Sequence, residues 1–127
     1  MIFDTDILIW VLRRQKGAIE FTDRISHDER NISVISELEL LRGCRSRDEI
    51  IGIHNLLNDQ FSEIVPLTEA ACQTAQRLMV QFTLTRHPGT NDTLIAATAL
   101  ARGESVATGN LRHFDYIPGL GIHPFRP

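Results

Sequence analysis

The chain has little of what marks several large protein classes. Cysteine appears twice in 127 residues, at Cys44 and Cys72. That is too few and too widely spaced for a disulfide scaffold or a CxxC metal knuckle, and both read as buried thiols in helix-like segments. No run of eighteen apolar residues occurs, so no membrane span is expected. The opening Met1-Ile2-Phe3-Asp4-Thr5-Asp6 places two acids where a secretory leader would be greasy, and a cytoplasmic location is expected. Repeats, low-complexity stretches and Gly/Ser/Pro linkers are missing, so the length suits one domain over residues 1–127. Lys16 is the only lysine, and the net charge of −3 does not advertise a nucleic-acid coat. It does not exclude a site that holds metal through acids. Aromatics make up 6%, with one Trp and one Tyr, and form no base-stacking cluster.

Several catalytic signatures are also missing. His27, His54, His87, His113 and His123 form no HxxxH or HExxH pair, so a zinc site has no support. There is no GxSxG elbow and no GxxxxGK[ST] phosphate loop. Gly119-Leu120-Gly121 is too short for a dinucleotide fingerprint, and neither cysteine has a histidine at a recognisable spacing.

What is present alternates short apolar runs with helical stretches. Ile2-Phe3 reads as a strand, and residues 5–12 as a helix with Ile7, Leu8, Val11 and Leu12 on one face. A polar helix is expected over residues 17–26 and a strand over 31–34. Ser36 is placed to cap the next helix, with Glu39 at capping-box spacing and an end near Gly43. Leu38 and Leu41 of that helix are expected to face the core. Residues 48–57 form a further amphipathic helix, and 64–67 a strand stopped by Pro66. Thr68 caps a helix running to Phe82, and 86–90 is a loop. Asn91 is read as the cap of an alanine-rich helix over 92–101 closed by Gly103. Residues 105–108 form a strand, and 120–122 a fifth. Strands separated by helices imply parallel pairing in an α/β sandwich.

Four polar residues fall at telling places. Asp4 ends the first strand, and Asn110 lies two residues past the fourth. In open α/β sheets ligands bind beyond the carboxyl ends of strands. Asp92 occupies a helix first turn, where the macrodipole favours an anion, and Glu39 lies near the apolar boundary of its helix. Each has an ordinary alternative: a turn former, a dipole-favouring acid, a capping-box partner, a turn before Leu111. Glu37 competes with Glu39. Taken together, three carboxylates and an amide in one cleft repel one another unless a cation is present. Hard oxygen ligands suit Mg2+ or Mn2+, which favours phosphodiester hydrolysis by metal-activated water. Arg42, Arg45 and Arg47 read as a solvated helix end or as a grip on phosphate beside the site.

The same residues resemble the PIN-domain ribonucleases, and more closely the VapC-type toxins of toxin–antitoxin operons. The resemblance spans essentially the whole chain. It rests on the segment from Ile2 to Asp6, on Ser36-Glu37-Leu38-Glu39-Leu40-Leu41-Arg42-Gly43, on Asn91 to Leu100 and on Ala107 to Phe114, in that order and at the family's approximate spacing. It implies a three-layer α/β/α sandwich with a short central parallel sheet and an acidic pocket binding Mg2+ or Mn2+. Asp4 and Asp92 match the first and third acids and are implied as metal ligands. Glu39, four before Gly43, matches the second; Glu37 is out of register. Thr5, Asp6 and Thr108 match supporting positions. Asn110 matches the fourth position, where many relatives carry aspartate, and His113 replaces an acid often found near that turn.

The resemblance further implies single-stranded or loop RNA as substrate and a homodimer. It also implies a cognate VapB-type antitoxin whose tail fills an apolar groove and sends a basic side chain into the pocket. Leu8, Trp10 and Val11, with Leu38 and Leu41 nearby, are the candidates for that groove. Contact with operator DNA is expected only through the antitoxin.

Overall fold

In the computed structural model, residues 1–126 are described. The strands are β1 (Ile2–Phe3), β2 (Asn31–Ser33), β3 (Glu63–Val65), β4 (Val106–Thr108) and β5 (Ile122–Pro124). All pair in parallel in the order β3-β2-β1-β4-β5. The helices are α1 (Thr5–Leu12), α2 (Lys16–Asp23), α3 (Val34–Arg42), α4 (Arg47–Gln60), α5 (Glu69–Arg86) and α6 (Thr90–Arg102). The expected three-layer α/β/α sandwich is the architecture found.

Strand alternation builds the layers. Phe3 and its register partner Ala107 face one core with Ile32, Ile7 and Leu8 of α1, Phe21 of α2 and Ile53 and Leu57 of α4. Ile2 and its partner Val106 face the other core, against Ala75 and Leu78 of α5 and Ile95, Ala96 and Ala99 of α6. Ile2, Phe3, Val106 and Ala107 are fully buried. Both faces of the central strands are covered, as a parallel sheet requires. The strand order reverses between β1 and β4, and the chain leaves those neighbours in different directions. In open α/β sheets ligands bind beyond the carboxyl ends of strands at such a divergence.

Several expected boundaries move, each for a local reason. Ser33, not Ser36, caps α3 by accepting the Ile35 N–H at 3.0 Å, so β2 ends before Val34. Ser36 lies inside the helix. Gly89, not Asn91, occupies the cap of α6, with no side-chain hydrogen bond to the first turn. The polar helix is shorter than expected because Arg24 ends it, and Gln15 caps its start. Ser46 caps α4, which runs on to Gln60. α5 continues one turn past Phe82 to His87, whose φ of 46° breaks it. β3 begins at Glu63 and ends before Pro66, and β5 lies at 122–124 rather than 120–122. Leu38 does not face the core; it is 54% exposed, and Leu40 takes the buried position. Both cysteines are half-buried rather than sealed. Among the described residues, no helix is long and apolar enough to cross a membrane.

Candidate active site

Polar side chains gather near the carboxyl ends of β1 and β4 from several elements. Asp4 leaves β1 directly, with its backbone N–H still in the sheet, donating to Ala107 O at 2.8 Å. It is the N-cap of α1, and its Oδ1 accepts the Thr5 N–H at 2.7 Å. Thr108, the last residue of β4, donates from Oγ1 to Asp4 Oδ2 at 2.8 Å and accepts the Asn110 N–H at 2.9 Å. Asp4 is 3% exposed and Thr108 wholly buried.

Asp6 sits one residue further into α1. Its Oδ1 accepts the Ile7 N–H at 2.8 Å, and its Oδ2 accepts the Gly109 N–H at 3.0 Å. Both oxygens are engaged by main-chain donors, so Asp6 ties the loop after β4 to the start of α1. Gly109 is needed there: a Cβ would stand 2.8 Å from Asp6 Oδ2 and 3.3 Å from Phe125 O.

α3 brings Glu39. Thr5 Oγ1 donates to Glu39 Oε1 at 2.8 Å and stands 2.9 Å from Ser36 Oγ. A hydroxyl has one proton, so Ser36 supplies the hydrogen of the second contact. The i, i+3 spacing of Ser36 and Glu39 therefore meets Thr5 rather than closing a capping box. Glu39 also borders two recesses. One, of about 210 Å³, is lined by Ile35, Leu38, Arg42 and Asn91. The other, of about 620 Å³, runs between α1, α3 and α4 past Ile9, Leu12, Arg13, Leu40 and Ile53.

α6 brings Asp92 in its first turn. His113, from the short 3-10 turn Leu111–His113 after β4, places Nδ1 2.8 Å from Asp92 Oδ2. Sequence reasoning treated His113 only as a replaced acid and missed this contact. The available signal was an imidazole three residues past Asn110, where acids gather. Asn110 itself joins the network through its main-chain N–H, while its residue is exposed.

Burial and neighbouring acidic charges act on these carboxyls. Burial, then the Asp6 charge and more weakly that of Asp92, push the Asp4 carboxyl up to about 8, against the Thr108 hydrogen bond. Burial also raises the Asp92 pKa; the charges of Glu39 and Asp6 add to this, and His113 opposes it. Among the described residues no group of three or more His, Cys, Asp or Glu side chains stands close enough to hold one ion together. The donor set still suits a hard divalent cation. It is all oxygen, and Mg2+ is held through one or two carboxylates with water completing its shell. A carboxyl whose charge the fold disfavours is one that a cation would restore to its ionised form.

The expected groove residues separate. Leu8 is wholly buried in the core between α1 and the sheet and cannot line an open groove. Trp10, Val11 and Leu41 are half-buried against that core, and Leu38 lines the smaller recess. The apolar walls of the larger recess are Ile9, Leu12, Leu40 and Ile53, none of which the sequence reading put forward for the groove.

A doubly wound parallel sheet with acids after β1, in α3 and in α6 near its reversal point defines an α/β protein with a candidate acidic site there. The family model for the PIN domain matches residues 1–120. No curated protein matches the chain by sequence. Among solved structures, a chain of VapBC2 from Rickettsia felis, bound to a DNA fragment from their promoter, is similar at TM-score 0.83 and 19% identity, over 99% of this chain and 100% of that one. A chain of VapBC-1 from nontypeable Haemophilus influenzae is similar at 0.79 and 26%, over 98% of each. A toxin–antitoxin complex from Klebsiella pneumoniae gives 0.78 and 23%, over 94% and 93%. The chain belongs to the PIN-domain family.

Proposed function

We propose that the chain is the toxin of a toxin–antitoxin pair and acts as a Mg2+- or Mn2+-dependent endoribonuclease. The observation that carries this reading is the buried Asp4 carboxyl at the β1–β4 reversal, pushed up to about 8 first by burial and then by the Asp6 charge, with Asp92 raised by burial and by the charges of Glu39 and Asp6. Membership of the PIN-domain family and likeness to VapBC complexes support it.

Asp4 and Asp92 would hold the ion, with water filling the remaining positions. When bound, such an ion supplies neutralisation of charge developing on the phosphodiester and a lowered pKa for the attacking water. Glu39, fixed by Thr5, orients that water and takes up its proton. Thr108 keeps Asp4 in place, and the Asn110 amide lies at the rim, where it hydrogen-bonds the scissile phosphate. The recessed pocket favours single-stranded or loop RNA, whose backbone can reach it.

The cognate antitoxin fits the larger recess. Ile9, Leu12, Leu40 and Ile53 give an apolar floor for an amphipathic segment, and Glu39 at its end offers a carboxylate for a basic side chain. Operator DNA is engaged through the antitoxin, and the toxin is a homodimer.

The test is cleavage of several RNAs by purified chain free of antitoxin, with Mg2+ or Mn2+ against EDTA. Metal-dependent cleavage lost in Asp4→Asn and Asp92→Asn is expected. Wild type that cleaves no better than either variant overturns the catalytic reading. The absence of three convergent donors among the described residues favours a second reading, an acidic pocket that captures a partner's arginine without catalysis. That reading predicts partner binding unaffected by EDTA and no cleavage in either metal.

A further inference from the structure

We propose that His113 is a positioning residue for Asp92, its imidazole Nδ1 fixing Oδ2 so that Oδ1 stays open to a divalent cation. This deepens the metal-dependent reading above and rests on it.

Asp92 has two things to do with its carboxylate. It is the third residue of α6, and Gly89 caps that helix without a side chain, so first-turn amides lack a capping oxygen. An acid at this position readily folds back onto its own helix start. Its Oδ2 lies over that start, 3.6 Å from where a Cβ on Gly89 would stand. The contact at 2.8 Å from His113 holds the same oxygen from a separate element. Among the described residues, no protein donor meets Asp92 Oδ1.

The turn that carries His113 is rigid enough for this task. His113 N–H donates to Asn110 O at 3.0 Å, and Asp115 N–H to Leu111 O at 2.8 Å. The next residue, Phe114, is wholly buried in the core that packs α6 against the sheet. The imidazole is thus anchored by its neighbour while its own side chain remains 54% exposed. A contact this exposed adds little to stability, so its value lies in orientation. Partners that orient metal-binding carboxylates typically change metal affinity 10–100-fold when removed.

The experiment is Mn2+ titration by calorimetry on the full chain without RNA, for wild type, His113→Ala, His113→Gln and His113→Asn. Asparagine places an amide nitrogen near the Nδ1 position, while glutamine carries it further out. Alanine and glutamine should weaken Mn2+ binding by about 10–100-fold with unchanged melting temperature, and asparagine should recover most of it. RNA cleavage by His113→Ala should return toward wild type in excess Mn2+. Alanine binding Mn2+ as tightly as wild type, or asparagine no better than glutamine, overturns the positioning role alone. Wild type that binds Mn2+ no more tightly than Asp92→Asn overturns the metal centre itself, and the role of His113 with it.

Discussion

Thr108 Oγ1 donates to Asp4 Oδ2 at 2.8 Å while accepting the Asn110 N–H at 2.9 Å, so one buried hydroxyl joins the ends of β1 and β4. Both its partners are left short when it is removed. Thr108→Val keeps the shape and deletes the hydroxyl, stranding a buried carboxyl oxygen and a main-chain N–H. The expected loss is about 1–3 kcal/mol by urea denaturation, with RNA cleavage down about tenfold or more. Thr108→Ser keeps the hydroxyl and should retain most of both. Equal behaviour of the valine and serine variants would show that the hydroxyl is not what matters.

Stability should fall as pH rises in the metal-free protein. The Asp4 carboxyl ordinarily titrates at 3.8 and in the fold at about 8, chiefly through burial and the Asp6 charge. Between those values the native chain holds a proton that the unfolded chain releases, so the native state is favoured at the acid end. The slope is at most about 1.4 kcal/mol per pH unit. Asp4→Asn has no proton to lose, so it should melt above wild type at pH 8, with the gap shrinking toward pH 4. Millimolar Mg2+ at pH 8 should raise the wild-type melt and leave Asp4→Asn unmoved. A wild-type melt flat from pH 5 to 8 would contradict the burial of Asp4 beside Asp6.

Gly109→Ala tests the close approach between the β4 loop and α1. The added Cβ would meet Asp6 Oδ2 at 2.8 Å and Phe125 O at 3.3 Å, and the second of these is backbone and cannot swing away. The loop must shift, which lengthens the Gly109–Asp6 bond. About 1–3 kcal/mol of stability should be lost in thermal or urea melts. Cleavage should fall further than the melt alone explains, because Thr108 and Asn110 flank the displaced residue. A variant as stable and active as wild type would mean that the loop has slack the geometry does not show.

Much of this site was legible in the sequence because strand ends and helix starts carry local signals. Asp4 after an apolar pair and Thr108 closing another could be placed at neighbouring strand ends. Ser36 and Glu39 were misread because i, i+3 spacing serves equally for a capping box and for one helix face meeting a partner. Only the third dimension supplies Thr5. Leu38 was misjudged because α3 lies between the two cores, Leu40 entering one and Ile35 packing on the other. The last turn of α5 left no apolar signature, since Thr83, Leu84 and Thr85 are all exposed. His113 meets a residue far back in the chain, and no periodicity encodes such a contact. The walls of the larger recess come from α1, α3 and α4 together, a combination set by helix packing rather than by any one segment.

Leu12 offers a way to separate the partner surface from the chemistry. It is 38% exposed on α1 and lines the larger recess with Ile9, Leu40 and Ile53. Its replacement by glutamate leaves the sealed core residues Ile7 and Leu8 untouched, so the change in stability should stay within about 0.5 kcal/mol. None of the pocket acids is altered, so RNA cleavage by the free chain should match wild type. Against an antitoxin segment laid on the apolar floor, the new carboxylate would be buried without a partner and would stand near Glu39 and Glu49. Affinity for the cognate antitoxin proposed above should drop about 30-fold or more, roughly 2 kcal/mol. In cells, growth arrest by Leu12→Glu should then escape relief by that antitoxin, while wild type is relieved. Full relief of the variant, with binding unchanged in a pull-down titration, would place the antitoxin on some other face.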